Sequence, residues 1–188
     1  ENTRVVSYQT LPAPSGNCAI IFRSYWALFE QFQRCAHEKA AFTLMPGSEK
    51  ALQWFMGDVI ELFNHGTRPS FPSLFRYGTF DELVKRESQH ADISRIVDLL
   101  SRGYQLKHLD ESLSRQARGS VNVLWLGMPE HTKNMEFEKV VIADDFFSQT
   151  NMVSKDALVS SVYTAISRVK AELHLPAEFD NWVRGLSS

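Results

Sequence analysis

Arg168 stands near the end of the block Tyr163-Thr164-Ala165-Ile166-Ser167-Arg168-Val169-Lys170, and the run Ala171 to Leu175 follows it. The pattern reads as a helix end carrying one arginine, then a buried strand. An NTPase uses an arginine of this kind to reach the γ-phosphate of a nucleotide held by a neighbouring domain. The guanidinium suits that task because it is always charged and forks onto phosphate oxygens. A second arginine, Arg23, directly follows the apolar run Cys18-Ala19-Ile20-Ile21-Phe22. Between these two lie His131, Thr132, Lys133 and Glu136, in a loop ahead of the run Lys139-Val140-Val141-Ile142-Ala143. Asp144-Asp145 is the one carboxylate pair that suggests a metal. Adjacent strand residues point to opposite faces, however, so no metal site is expected. Ser48-Glu49-Lys50 after Gly47 lacks the glycine spacing and Gly-Lys-Ser/Thr order of a phosphate loop, so the chain by itself is not expected to hydrolyse ATP. Plainer alternatives stand beside these readings: His131 as a loop histidine, Glu136 as a surface carboxylate, and Tyr163 and Phe137 as core.

The elements that must position these residues follow from periodicity. Cys18–Phe22, Phe42–Met45, Val121–Leu126, Lys139–Ala143 and Glu172–Leu175 are short apolar runs bounded by turn residues, as expected of parallel strands covered on both faces. Ser24 is placed to cap a helix bearing Trp26, Phe29, Phe32 and Cys35-Ala36 at helical spacing. Ser48 opens another helix, whose stripe of Trp54, Phe55, Val59 and Phe63 reads as core and whose end falls at Asn64-His65-Gly66. A further helix begins at Asp156 and carries Tyr163. Residues 67–78 read as a loop, and 79–116 as short helices over Asp81–Ser88, Asp92–Ser101 and Asp110–Ala117. Strands alternating with helices imply an α/β fold with a parallel, doubly wound sheet. The expected organisation is a lead-in segment over 1–16, a main domain over 17–66 and 118–188, and a helical insertion over 67–117.

Composition narrows the function classes. The chain has 188 residues, 44% of them hydrophobic and 12% aromatic, enough for a real core. A net charge of −2 argues against a strong general attraction to nucleic acid or acidic lipid. Two cysteines, Cys18 and Cys35, form neither a disulfide framework nor a four-ligand zinc site, which points to a reducing, intracellular setting. No apolar run approaches the length of a membrane span. The chain starts at Glu1 and is expected to be a piece of a longer polypeptide, or a processed one.

Three blocks, in order, resemble the second RecA-like domain of UvrD/Rep-type superfamily 1 helicases. They are Ala19-Ile20-Ile21-Phe22-Arg23-Ser24; Thr132-Lys133-Asn134-Met135-Glu136-Phe137-Glu138-Lys139-Val140-Val141-Ile142; and Tyr163 to Lys170. The ending Ala143-Asp144-Asp145-Phe146 and the run Phe80 to Lys85 are most similar to the F-box DNA helicases. The resemblance implies a RecA-like sheet and an ATP-dependent 3′-to-5′ DNA helicase or translocase. It implies ATP with Mg²⁺, held mainly by a first RecA-like domain, with Arg23 and Arg168 as γ-phosphate contacts and Glu136 on the ribose. Thr132, Lys133 and His131 would lie toward single-stranded DNA, and residence would be nuclear. Several positions depart from the family pattern: Asn134 replaces a glycine, Tyr25 an asparagine, Met128 and Glu130 a threonine and a histidine, and Pro46-Gly47 a Gly-Gly pair. ATP-facing positions thus survive better than DNA-facing ones. The alternative is a degenerate, non-catalytic domain acting as a scaffold or subunit in a larger nucleic-acid or protein assembly.

Overall fold

Cys18, Ala19, Ile20 and Ile21 are all fully buried, which a strand achieves only when both faces of its sheet are covered. This strand, β2 (Cys18–Ile21), lies inside a six-stranded sheet in the order β1-β6-β5-β2-β4-β3. Its companions are β1 (Arg4–Tyr8), β3 (Phe42–Leu44), β4 (Leu124–Gly127), β5 (Phe137–Ile142) and β6 (Val169–Pro176). Every neighbouring pair is parallel. The computed structural model describes residues 3–10, 17–88, 90, 92–120, 122–147 and 155–186. The fold is mixed α/β, an all-parallel sheet flanked by helices, consistent with a RecA-like arrangement.

Alternation along β2 divides the core. Cys18 and Ile20 face one cluster with the helices α1 (Tyr25–Glu38), α2 (Ser48–His65), α3 (Phe80–Glu87), α4 (Ile93–Ser101) and α5 (Leu106–Ser114). Ala19 and Ile21 face a second cluster with Val162 and Ala165 of α6 (Lys155–Ile166), against which Phe179 and Trp182 of α7 (Glu178–Leu186) pack. The helices of the expected insertion therefore share one core with α1 and α2, through Leu83, Ile96, Leu100 and Leu109.

Local chemistry explains the helix ends. The Ser24 side chain accepts a hydrogen bond from the Trp26 amide and caps α1. α2 ends at Gly66, left-handed at φ 66°, as the Asn64-His65-Gly66 run predicts. α5 starts four residues ahead of the expected Asp110, because Gln105 and His108 form a reciprocal cap at its start.

Other expectations are corrected. Arg4–Tyr8, in the segment read as a lead-in, forms an edge strand whose register runs from Arg4 opposite Glu172 to Tyr8 opposite Pro176. Residues 1, 2 and 11–16 of that segment, and Val121, lie outside the described residues. Trp54 is 48% exposed, on the rim of the stripe whose centre is Phe55 and Val59. Tyr163, read as core, is 69% exposed, whereas Phe137 is buried. No helix among the described residues is long and apolar enough to cross a membrane.

The joint between β4 and the turn after β3 is packed to the limit. A Cβ on Gly127 would meet Met45 Sδ at 2.5 Å, Cγ at 2.7 Å and Cβ at 2.9 Å. The Met45 Cβ cannot swing away, since the Met45 amide is tied to the Leu126 carbonyl at 2.8 Å. Gly127→Ala is expected to cost about 1–3 kcal/mol through overpacking. Thermal unfolding should then show Tm lowered by roughly 2–4 °C for each kcal/mol lost.

Candidate functional site

In an open parallel sheet, ligands gather beyond the carboxyl ends of the strands, where successive connections leave in opposite directions. Here that point lies between the adjacent strands β2 and β5, since the connection from β2 runs toward β3 and that from β5 toward β6. Arg23 follows β2 directly and sits at this edge. Arg168 does not. Its carbonyl accepts from the Phe137 amide at 2.9 Å, at the start of β5, whereas the Arg23 amide donates to Asp145 beyond the end of β5. The six steps from Phe137 to Ala143 span about 20 Å. The two arginines expected to share one phosphate are therefore placed at opposite edges of the sheet. The physical reason is that Arg23 leaves the end of one strand while Arg168 enters the start of another, parallel to it.

Arg168 keeps company instead with Glu136. β5 and β6 begin side by side, and Glu136 pairs with Lys170 at 3.0 Å, both side chains exposed. The Arg168 Nε donates to the Thr164 carbonyl at 3.3 Å, leaving its two terminal nitrogens without a partner among the described residues. Asn134, where the helicase pattern has glycine, adopts φ 60°, the left-handed conformation that asparagine tolerates best after glycine. Lys133 beside it is exposed. Thr132 is corrected as a nucleic-acid contact: it is fully buried, and its hydroxyl donates to the Pro129 carbonyl at 2.7 Å, closing the turn Pro129–His131. His131 is half-buried at the other edge, with Nδ1 2.8 Å from the Ser48 hydroxyl and its ring against Gly47, whose φ of 89° requires glycine.

The edge beyond β2 is organised by two carboxylates that sequence reading did not single out in these roles. Asp145 Oδ2 accepts from the Arg23 amide at 3.0 Å and the Ser24 amide at 2.7 Å, clamping the entry to α1. Asp145 keeps some exposure as a residue while its carboxylate is enclosed. Burial raises its pKa to about 7; Asp144 and Asp92 add to the rise, and the two amides oppose it. Asp144 is exposed, and no group of three or more His, Cys, Asp or Glu among the described residues is arranged to hold a metal.

Glu87 is the second. It accepts from Trp26 Nε1 at 3.3 Å, Arg76 Nη2 at 3.1 Å and the Tyr77 hydroxyl, with His90 Nε2 3.2 Å away. Burial favours its neutral form, but the hydrogen bonds of His90 and Tyr77 overcome that and hold the carboxyl down at about 2. Only packing brings Trp26, Arg76-Tyr77 and His90 together from three segments, so no local signal marks Glu87. Between Arg23 and the loop Phe71–Arg76 lies a cavity of about 520 Å³. Asp58 fixes that loop by accepting from the Ser70 and Phe71 amides, each at 2.6 Å.

No family model matches the chain, and neither a curated protein nor a solved structure matches it significantly.

Removing one side of the Glu87 cluster should be costly. Glu87→Ala strands buried donors and is expected to lower stability by about 3–5 kcal/mol in urea unfolding. Because the folded pKa of Glu87 is depressed, its contribution is full above its ordinary value of 4.5 and is lost as pH falls from there through about 2. Asp145 has the opposite sign: with a raised folded pKa, its contribution is full below 3.8 and is lost as pH rises through about 7. The Tm of the native chain relative to Asp145→Asn is thus expected to fall between about pH 4 and 7. A gap that stays constant across that range would show that Asp145 does not titrate there.

Proposed function

We propose that this chain is the second RecA-like half of an ATP-dependent 3′-to-5′ DNA helicase or translocase. It presents Arg168 and Glu136 to ATP with Mg²⁺ held mainly by a first RecA-like domain. The observation that carries the reading is the shared edge at the starts of β5 and β6, where the terminal nitrogens of Arg168 have no partner among the described residues and an exposed carboxylate lies at the same edge. Arg168 would stabilise charge developing on the transferred phosphoryl group, and Glu136 would accept from a ribose hydroxyl once released from Lys170. That release is cheap because the pair is exposed. Arg23, at the far edge, takes no part at that phosphate. Lys133 and His131 remain the candidate contacts to single-stranded DNA, weak ones in a chain of net charge −2. A nuclear setting accompanies this reading.

A second reading is favoured by the engagement of these same groups within the domain: Arg168 Nε with Thr164, and Glu136 with Lys170. On that reading the fold persists as a non-catalytic scaffold in a larger nucleic-acid or protein assembly. DNA-stimulated ATP hydrolysis by the protein that joins this chain to a phosphate-loop domain separates the two. For the motor, Arg168→Ala is expected to lower turnover by about 10³-fold or more, whereas Arg23→Ala leaves it within a few-fold. Absence of turnover in the folded wild type would favour the scaffold.

A further inference from the structure

Arg23 is a half-buried cation with little to do. Its guanidinium offers five N–H donors, and among the described residues it makes one long hydrogen bond, Nη1 to the Phe146 carbonyl at 3.4 Å. Burial works against its charge, and Asp145 only partly offsets that. Its backbone is nonetheless fixed by the Asp145 clamp, so the side chain leaves a rigid base and lines the cavity. At about 520 Å³ the cavity falls within the size range of small-molecule sites, roughly 300–1,000 Å³. Tyr25, Phe71, Pro72, Met128 and Pro129 supply apolar walls. Tyr25 stacks on Phe55 at 5.3 Å and meets Phe71 edge-on at 5.1 Å, so the aromatic wall is pre-formed.

We propose that this cavity binds a single carboxylate carried on an apolar or aromatic body, with the Arg23 guanidinium as its anchor. The local charges select the ligand class. The other arginine in the wall, Arg76, is committed to Glu87. Glu130 also lines the cavity, close enough to Tyr25 that its charge and hydrogen bond add to the burial that raises the tyrosine pKa. One spare cation and one uncommitted carboxylate in the same wall suit a monoanion, which forks onto the guanidinium. A phosphate dianion would carry a second charge toward Glu130. A nucleic-acid strand needs a cationic groove that tracks its backbone, and two glutamates in the wall oppose that. The site is independent of the proposed motor function, since it lies at the sheet edge away from Arg168.

Both a free small acid and the C-terminal carboxylate of a peptide carry this chemistry. The test is an NMR titration of the folded 188-residue chain with 3-phenylpropanoate, its neutral amide, phenyl phosphate, Gly-Gly-Phe as acid and as C-terminal amide, and an oligothymidylate. Binding by 3-phenylpropanoate, with shifts at the Arg23 Nε–H and the Tyr25 and Phe71 amides and none with the amide analogue, supports the site. Arg23→Gln is expected to weaken that binding by about tenfold to a hundredfold. The amide analogue on the native chain makes the same distinction should the variant fail to fold. Tighter binding by the peptide acid than by 3-phenylpropanoate identifies a peptide terminus as the source, and the reverse order a small acid. Equal binding by the neutral amides, tighter binding by phenyl phosphate or the oligothymidylate at the same residues, or no shift with any carboxylate would each overturn the proposal.

Discussion

The double burial of β2 is the constraint on which the rest of the structure depends. Cys18 to Ile21 have no exposed surface, so helices must cover both sides of the sheet at this strand. Parallel neighbours on each side oblige every connection to return over a face before the next strand starts. That requirement gathers the exits of β2, β4 and β5 at one edge, and it places the starts of β5 and β6 at the other. The separation of Arg23 from Arg168, the placing of Arg168 at the same edge as Glu136 and the cavity beyond β2 all follow from it.

The edge beyond β2 is held by charge rather than by apolar packing alone. Asp145 takes two backbone amides that the turn into α1 would otherwise leave unpaired, and burying its carboxylate is the cost. Glu87 gathers an indole, a phenol, a guanidinium and an imidazole around one carboxylate. The first arrangement strains against ionisation, whereas the second depends on it. Two carboxylates with opposite responses to pH thus hold this edge: Glu87 lines the cavity, and Asp145 clamps the backbone at Arg23, whose side chain also lines it.

The far edge is looser and more exposed. Glu136 and Lys170 meet in water, Tyr163 projects outward, and Arg168 folds back on its own helix. Groups so placed reorganise easily when another surface approaches, which is compatible with a role completed by a second domain. A domain that contributes to a nucleotide from outside needs residues that can be recruited, not residues already locked.

The sequence by itself determined the fold class and most element positions. Short doubly buried runs such as Cys18–Ile21 signal a parallel sheet because alternation disappears when both faces are covered, and caps such as Ser24 and Gly66 act within a few residues. Asn134 stands where the helicase pattern has glycine, and its left-handed φ of 60° is a conformation that asparagine, after glycine, adopts most readily. Only the tertiary structure decided the rest. Arg4–Tyr8 carries strand-favouring Val5, Val6 and Tyr8, but it is the free edge of β6 that gives it a partner to pair with. Thr132 is buried because its own turn closes over it, and Tyr163 is exposed because α6 presents only one side to the sheet. Motif order along the chain could not show that Arg23 and Arg168 lie at opposite edges. That depends on whether each arginine leaves or enters its strand, and on which strands become neighbours.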